Sequence, residues 1–327
     1  MNNAGLSDSQ IVGKIRGHQT ITRICRLFSI IGYLGIICLP LGLLFKVAMG
    51  DRKIWTIMII VGAVGIPVAL IGAKIGNSLS VKLKAFIGEY VVKGVVAERI
   101  DITQYTPISK TTNDIIKKCT LLPRYDRITV SDYIKGTYKQ VPITYCDLHL
   151  EQEETDTDDD GHTSTTYRTV FKGHLINLGL GQKFDGFVKI KERKNPRKEK
   201  NFLSNVFSGA ADLLGIKTND ETIEVENEAF NNQFEIRTSN QQMSFYILTP
   251  QFMENIIKAD EFACGYTNIE FRGHNAFIAL NTGRDSFEIT KTVISKKSLD
   301  NSRHQMRSEL NRILAVVDEI LTKDNLF

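Results

Sequence analysis

No two of the five cysteines form a Cys-x-x-Cys pair. Cys25 and Cys38 lie at or within the first long apolar run, and Cys119, Cys146 and Cys264 are widely scattered. That excludes a disulfide framework and a thiolate zinc site, and such cysteines suit a reducing compartment. The six histidines show neither His-x-x-x-His nor His-Glu-x-x-His spacing, and no Gly-x-Ser-x-Gly elbow is present. The glycine-rich stretch from Gly179 to Gly186 lacks the Gly-Lys-Ser/Thr of a phosphate loop and reads as a strand connection. A net charge of +4 and a pI of about 8.6 are too mild to point to nucleic acid. No cofactor and no metal is implied.

Charge is also missing from two long stretches. Leu27 to Phe45 is 19 residues without a charge, and Ile54 to Ala73 is 20. Each is near the roughly 20 residues that cross a hydrocarbon core as a helix. Such runs must be helical in lipid, where every backbone amide needs an internal partner. A secretory signal peptide explains neither the long charged start nor the second run. The pattern predicts a transmembrane hairpin, about 27–45 and 54–73, behind a cytosolic N-terminal segment (1–26). Four cations precede the first run (Lys14, Arg16, Arg23, Arg26) and five follow the second (Lys74, Lys82, Lys84, Lys93, Arg99). The connecting loop holds three (Lys46, Arg52, Lys53), so the count puts both termini in the cytoplasm of an inner or plasma membrane. Pro40 and Pro67 each remove a backbone donor from the runs. Gly65, Ala69 and Ala73 recur every four residues, with Gly72 and Gly76 alongside. Small residues in such a stripe let helices approach closely, within the hairpin or between copies. Equally, Gly and Ala are common in membrane helices without any packing role. Tyr33 and Trp55 are candidate interface anchors, Trp55 the nearer to a boundary.

Beyond the hairpin, Leu79, Leu83, Phe86, Tyr90 and Val91 fall on one helical stripe. They predict a juxtamembrane helical stalk within 77–120, with a second short helix over Asn113 to Cys119. From Arg127 the period shifts towards two. Arg127–Ser131, Gly136–Glu151, Tyr167–Leu178 and Gly186–Lys194 read as strands, as do Glu221–Glu226 and Gln233–Thr238. Phe202–Leu214 reads as a helix ended by Gly215. Asn240–Lys258 is helical with a break, because Thr249-Pro250 is a cap followed by Pro at the first helical position. Strands return at Asn268–Phe271, Ala276–Asn281 and Ser286–Thr290, with a tight turn at Arg272-Gly273-His274-Asn275 between the first two. Leu299 to Leu321 carries the clearest amphipathic stripe. Blocks of strands and helices, without strict alternation, predict an α+β class: a mostly antiparallel sheet domain (121–327) with a long C-terminal amphipathic helix.

The segment Glu226-Asn227-Glu228-Ala229-Phe230-Asn231-Asn232-Gln233-Phe234-Glu235-Ile236, followed by Tyr246-Ile247-Leu248-Thr249-Pro250-Gln251-Phe252-Met253, resembles a signature of the bacterial family known as domain of unknown function 3137. Phe171-Lys172-Gly173 and Phe184-Asp185-Gly186 look like its phenylalanine-glycine strand motifs, and Asp126-Arg127-Ile128 with Ser131-Asp132-Tyr133-Ile134 looks like its opening. The likeness covers about Tyr125 to Glu288. Ser239-Asn240 departs from the family, which more often has Asp after that Ser. The resemblance implies a membrane hairpin ahead of the domain and no established catalytic residue. On the residues themselves, Phe230, Phe234, Phe252 and Met253 read as core.

Two charged loops remain. Glu151 to Asp160 holds seven carboxylates, and Asp156-x-Asp158-x-Asp160-Gly161 matches half of a calcium loop. Its twelfth position is Tyr167 rather than Glu, so a solvated hairpin tip fits better. Lys189, Lys191, Arg193, Lys194, Arg197, Lys198 and Lys200 oppose only Glu192 and Glu199. Three readings compete here: a solvated loop, contact with anionic lipid headgroups, and nucleic acid, the last weakened because no aromatics are interleaved. The expected partners are the bilayer and another protein, or self-association through the membrane helices. A binding or scaffolding module leads, and a membrane-tethered enzyme is the rival.

Overall fold

Two long helices open the chain in the computed structural model, α1 (Asp8–Met49) and α2 (Arg52–Ile87). The structure describes residues 6–49, 52–109, 114–157, 163–193, 221–263, 265–289 and 293–322. It divides into two compact units, one of residues 1–91 with 289–302, the other of residues 92–288 with 303–327. The expected helix at Phe202–Leu214, the acidic tip from Asp158 to Gly161 and the Trp55 side chain lie outside the described residues.

The first unit is the helix pair. Between Gly62 and Gly76 the buried positions on α2 are Gly62, Gly65, Ala69, Gly72 and Gly76, spaced three and four apart. On α1 they include Ile15, Thr22, Ser29, Gly32 and Gly35. Alternating three-four spacing is the seam of a left-handed helix pair. Glycine is required at the crossing: a Cβ on Gly32 would stand 2.6 Å from the Ala69 amide nitrogen, and one on Gly65 would stand 2.7 Å from the Gly32 carbonyl oxygen. The large side chains point the other way. Ala69 is fully buried, while Ile31 and Leu70 are 62% and 60% exposed. At the base of the pair the Val293 amide donates to Gln19 Oε1 at 3.1 Å.

In α2 the helix runs unbroken past the end of the apolar run at Ala73. A π-turn (Gly88–Val92) follows it, then the short α3 (Lys93–Val96). The expected helical stripe is thus present, with Leu79, Leu83, Phe86 and Tyr90 half-buried and Val91 buried.

The second unit is an antiparallel sheet. Its strands are β1 (Asp101–Ser109), β2 (Arg127–Tyr138), β3 (Val141–Thr157), β4 (Thr163–Glu192), β5 (Glu221–Ile223), β6 (Phe234–Thr238) and β7 (Tyr266–Asn281). The order is β1-β2-β3-β4-β6-β5, and β7 pairs with β4 as well. β4 is the spine: its first half pairs with β3, its last residues pair with β6, and β7 follows it from His174 to Lys191. Helices α4 (Asp114–Lys118), α5 (Glu228–Gln233), α6 (Gln241–Ile247), α7 (Pro250–Phe262) and α8 (Lys296–Leu321) complete the fold. Asn227, Asn240 and Thr249 cap α5, α6 and α7, accepting from the amides of Phe230, Met243 and Phe252. The break inside the helical stretch therefore falls where Thr249-Pro250 demanded it.

Both sheet faces are packed near the centre. On one, Ile116, Cys119 and Leu122 around α4 meet Val130, Leu148, Leu150, Leu175 and Phe277. Elsewhere in the core, Phe252 of α7 lies 6.0 Å from Phe271 of β7, and Phe230 lies 4.9 Å from Phe234, ring centre to ring centre. The expected core role of Phe230, Phe234, Phe252 and Met253 matches their near-complete burial.

Several local expectations need correcting. Gly136–Glu151 is not one strand: the chain reverses at Lys139-Gln140, with Tyr138 paired to Val141. Both turn residues have positive φ (47° and 68°), the backbone of a two-residue hairpin normally signalled by Asn or Gly. Arg272-Gly273-His274-Asn275 is not a turn. β7 passes straight through it, and Gly273 (φ 57°) sits beside a register shift on β4 between Gly179 and Phe187. A bulge uses a positive-φ glycine just as a turn does, so local sequence cannot separate them. The expected strand at Ser286–Thr290 is absent over its described residues: Ser286 and Phe287 bend, because the Ser286 amide is drawn to a side chain instead of a ladder, and Thr290 lies outside the described residues. Asp101–Ser109, within the expected stalk region, is an edge strand carrying Pro107, a residue tolerated at edges.

Candidate functional site

Strand period places Tyr145 and Asp147 on one face of β3, and register sets Asp147 opposite His174 of β4. The loop leaving β7 adds Thr282 and Ser286. Asp147 and His174 are 1% exposed. Asp147 Oδ1 accepts from His174 Nδ1 at 2.6 Å and from the Tyr145 hydroxyl, and Oδ2 accepts from the Ser286 amide at 3.0 Å. His174 Nε2 is shared by Thr282 Oγ1 at 3.2 Å and Ser286 Oγ at 3.1 Å. A buried carboxylate needs this many donors, since an unpaired one costs several kcal/mol. Burial, reinforced by the Asp147 charge, holds the Tyr145 phenol well above its ordinary pKa of 10.0. A second buried carboxylate, Asp132, stands in the bulge of β2 with φ 49° and accepts from the Tyr105 hydroxyl at 2.7 Å.

Ser286, His174 and Asp147 are the residue types of a nucleophilic triad. Their geometry is different. Ser286 Oγ is 3.3 Å from Nδ1 and 3.1 Å from Nε2, so it lies off the ring edge between the two nitrogens. A base that takes the serine proton needs Nε2 aligned on the hydroxyl. Here Nε2 also meets Thr282, and Asp147 meets the serine's own amide. The arrangement pins the 282–287 loop to the sheet.

A half-open cleft with about 10 Å³ of interior room, enough for one water, lies above this network, with His174, Thr282, Leu280, Phe262, Glu309 and Arg312 on its walls. Ligand pockets generally enclose about 300–1,000 Å³, so the cleft suits a very small group at most. Glu309 is bridged by Arg312 at 3.1 Å and by Arg284 at 3.4 Å. Glu270 is also fully buried, and it accepts from the Thr120 amide and hydroxyl and from Arg272. Burial pushes the Cys119 thiol up to about 12 and the Cys146 thiol higher still, so neither is a ready nucleophile. Among the described residues no group of three or more His, Cys, Asp or Glu is placed to hold a metal ion.

The residues singled out from sequence lie elsewhere. Gly65 and Ala69 sit in the α1–α2 seam with Gly72 and Gly76, and Ala73 is half-buried beside it. The tip of the acidic hairpin is spanned by Thr157 paired to Thr163. Of the basic run, Lys189, Lys191 and Arg193 lie at the end of β4, while Lys194, Arg197, Lys198 and Lys200 lie outside the described residues. Lys189 stands 4.7 Å over the Phe187 ring, and Arg193 Nε donates to the Asn231 carbonyl at 2.9 Å. Desolvation lowers the Lys191 pKa. The Tyr145–Asp147–His174 network escaped the sequence because its members share no spacing. The alternation of Tyr145 and Asp147 was the one local hint.

The model of a family described as protein of unknown function (DUF3137) matches residues 169–321. This supports the resemblance drawn from the phenylalanine motifs, which fall inside that span. His174, Thr282, Ser286 and Arg312 fall inside it too, and Tyr145 and Asp147 do not. No curated protein matches the chain. Among solved structures, the mycobacterial trehalose monomycolate transport factor A, TtfA, aligns over 69% of this chain and 96% of its own at 8% identity, with a TM-score of 0.33. A likeness that slight carries neither fold nor function across.

Proposed function

We propose that this protein is a membrane-anchored binding or scaffolding module whose α1–α2 pair crosses the bilayer and whose sheet unit works in the cytoplasm. One observation carries the reading: within its two apolar runs the helix pair buries small residues (Ser29, Gly32, Gly35, Gly62, Gly65, Ala69, Gly72) and exposes large apolar ones such as Ile31, Leu34 and Leu70. In water the hydrophobic effect imposes the opposite arrangement. In lipid, where tails are as apolar as leucine, close packing of small residues drives helix pairing. Both helices are long and apolar enough to cross a membrane, with only 17% and 22% of their most apolar windows buried. A helix from a soluble core is buried over most of its length. The Lys and Arg count supports cytoplasmic termini in an inner or plasma membrane.

Ultracentrifugation of lysate without detergent tests the anchor. The protein pellets with membranes and stays there after alkaline carbonate; recovery in the supernatant refutes the proposal. A tag after Phe327 stays shielded from protease in intact cells, and cleavage there refutes the orientation.

A tethered enzyme is the second reading, favoured by the Ser286–His174–Asp147 grouping. The off-axis hydroxyl and the small cleft weigh against it. An active-site serine probe of the fluorophosphonate type labels Ser286 if the enzyme reading holds. Absence of labelling that Ser286→Ala could remove supports the binding module.

A further inference from the structure

One end of the sheet gathers positive charge from three strands. Lys189 and Lys191 of β4 pair in register with Arg237 and Glu235 of β6. Lys189 also stands opposite Glu270 of β7, and Phe187 stands opposite Arg272. Directly opposed residues share a sheet face, so Lys189, Lys191, Arg237 and Arg272 form one surface, extended along the chain by Arg193. The Arg237 and Arg272 side chains are 55% and 37% exposed, and Lys191 and Arg193 are exposed as well. Two carboxylates temper the patch: Glu235 bonds Arg237 at 2.6 Å, and Glu270 bonds Arg272 at 2.7 Å. Five cations against two carboxylates leave a local excess of three, most of the +4 carried by the whole chain. The basic run continues in sequence beyond Arg193 with four more cations against one acid.

We propose that this sheet face is a docking surface for the anionic lipid headgroups of the bilayer in which α1 and α2 are anchored. The inference rests on the anchor reading, since a tether raises the local concentration of lipid surface around the sheet unit. The nearest aromatic offers a nucleic acid no stacking platform. Phe187 is 8% exposed, and its ring is engaged by Lys189 at 4.7 Å and Arg272 at 4.5 Å, leaving no face for a base to stack on. The patch also lacks the exposed apolar anchor that centres most protein interfaces. What remains is a group of cations beside the Thr120–Glu270 contact, with Lys191, Arg193, Arg237 and Arg272 reaching solvent, and such a group suits a surface of phosphates.

The test uses the full chain in lipid nanodiscs of phosphatidylcholine alone or with phosphatidylglycerol. A water-soluble succinimidyl ester acylates the lysines, and mass spectrometry reads each site, with exposed Lys258 of α7 as reference. With anionic lipid, acylation of Lys189 and Lys191 falls about five-fold or more relative to Lys258, and higher ionic strength restores it. The double variant Arg237→Gln/Arg272→Gln, checked for native circular dichroism, weakens the protection. Equal rates in the two discs overturn the proposal, as does equal protection in both or protection indifferent to the double variant. Co-elution of protein with the disc reports the anchor separately, so the two ideas fail independently.

Discussion

The helix pair and the sheet unit obey opposite packing rules along one chain. In the pair, Gly32, Gly65 and Ala69 are inside and Leu34 and Leu70 are outside. In the sheet unit, Leu148, Phe252 and Phe271 are inside, and Lys189, Arg237 and Glu154 are half-buried or exposed. On the proposed membrane placement of the pair, the contrast follows from the environment that each side chain would otherwise face. A large apolar side chain gains by leaving water, but gains little by leaving lipid. Polar groups follow the same logic. The sheet unit buries Asp147 and His174 only by pairing them, and the helix seam holds Ser29 by letting its hydroxyl donate to the Cys25 carbonyl at 3.0 Å.

Substitutions in the two units test this contrast and should differ in effect. Phe271→Ala in the sheet core should cost about 3–5 kcal/mol and be the most damaging. Thermal unfolding in detergent, followed by circular dichroism, reads the loss. Asp147→Asn should follow at about 3 kcal/mol, because it strips the charge that Tyr145, His174 and the Ser286 amide were arranged to meet. Limited proteolysis should then cut the 282–287 loop first; cutting elsewhere would mean the network does not hold that loop. In the pair, Gly32→Leu forces a side chain into the Ala69 backbone and should cost about 1–3 kcal/mol. Leu34→Ala, outward on the same helix, should change stability by less than about 0.5 kcal/mol. If Leu34→Ala proves the worse of those two, the pair packs as a soluble core and the contrast fails.

The smallest effect belongs to the surface. Arg307 binds Glu98 through two contacts of 2.7 and 2.8 Å, and that hydrogen bond lowers the Glu98 pKa below 4.5. A lowered folded-state pKa contributes stability that is present above the unfolded value of 4.5 and lost as pH falls below it. Solvent screens so exposed a pair, so Arg307→Gln should cost less than about 1 kcal/mol at neutral pH and nothing once Glu98 is protonated. Denaturant titrations at pH 7 and in acid check both halves.

Much of the architecture was legible in advance because it rests on local chemistry. The apolar runs demanded helices, Thr249-Pro250 demanded a helix start, and the stripe from Leu299 to Leu321 demanded an amphipathic helix. The Phe230–Phe234 motif read as core and is core. Elements that depend on a partner strand were not legible. Lys139 and Gln140 turn without turn residues, because the pairing of β2 with β3 imposes their positive φ. Gly273 kinks β7 without reversing it, because β4 continues alongside.

Composition and local pattern were enough to establish two helices suited to oil, an α+β class, the Thr249 cap, and where cations concentrate, since each follows from a residue's own preferences or those of neighbours within a turn or a strand. Only tertiary structure could choose the seam partners Gly32 and Gly65, spread the basic patch over three strands, and bring Asp147 to Ser286 across 139 residues. Those outcomes depend on strand register and helix crossing, which are settled by contacts between segments distant in sequence and leave no spacing in the chain.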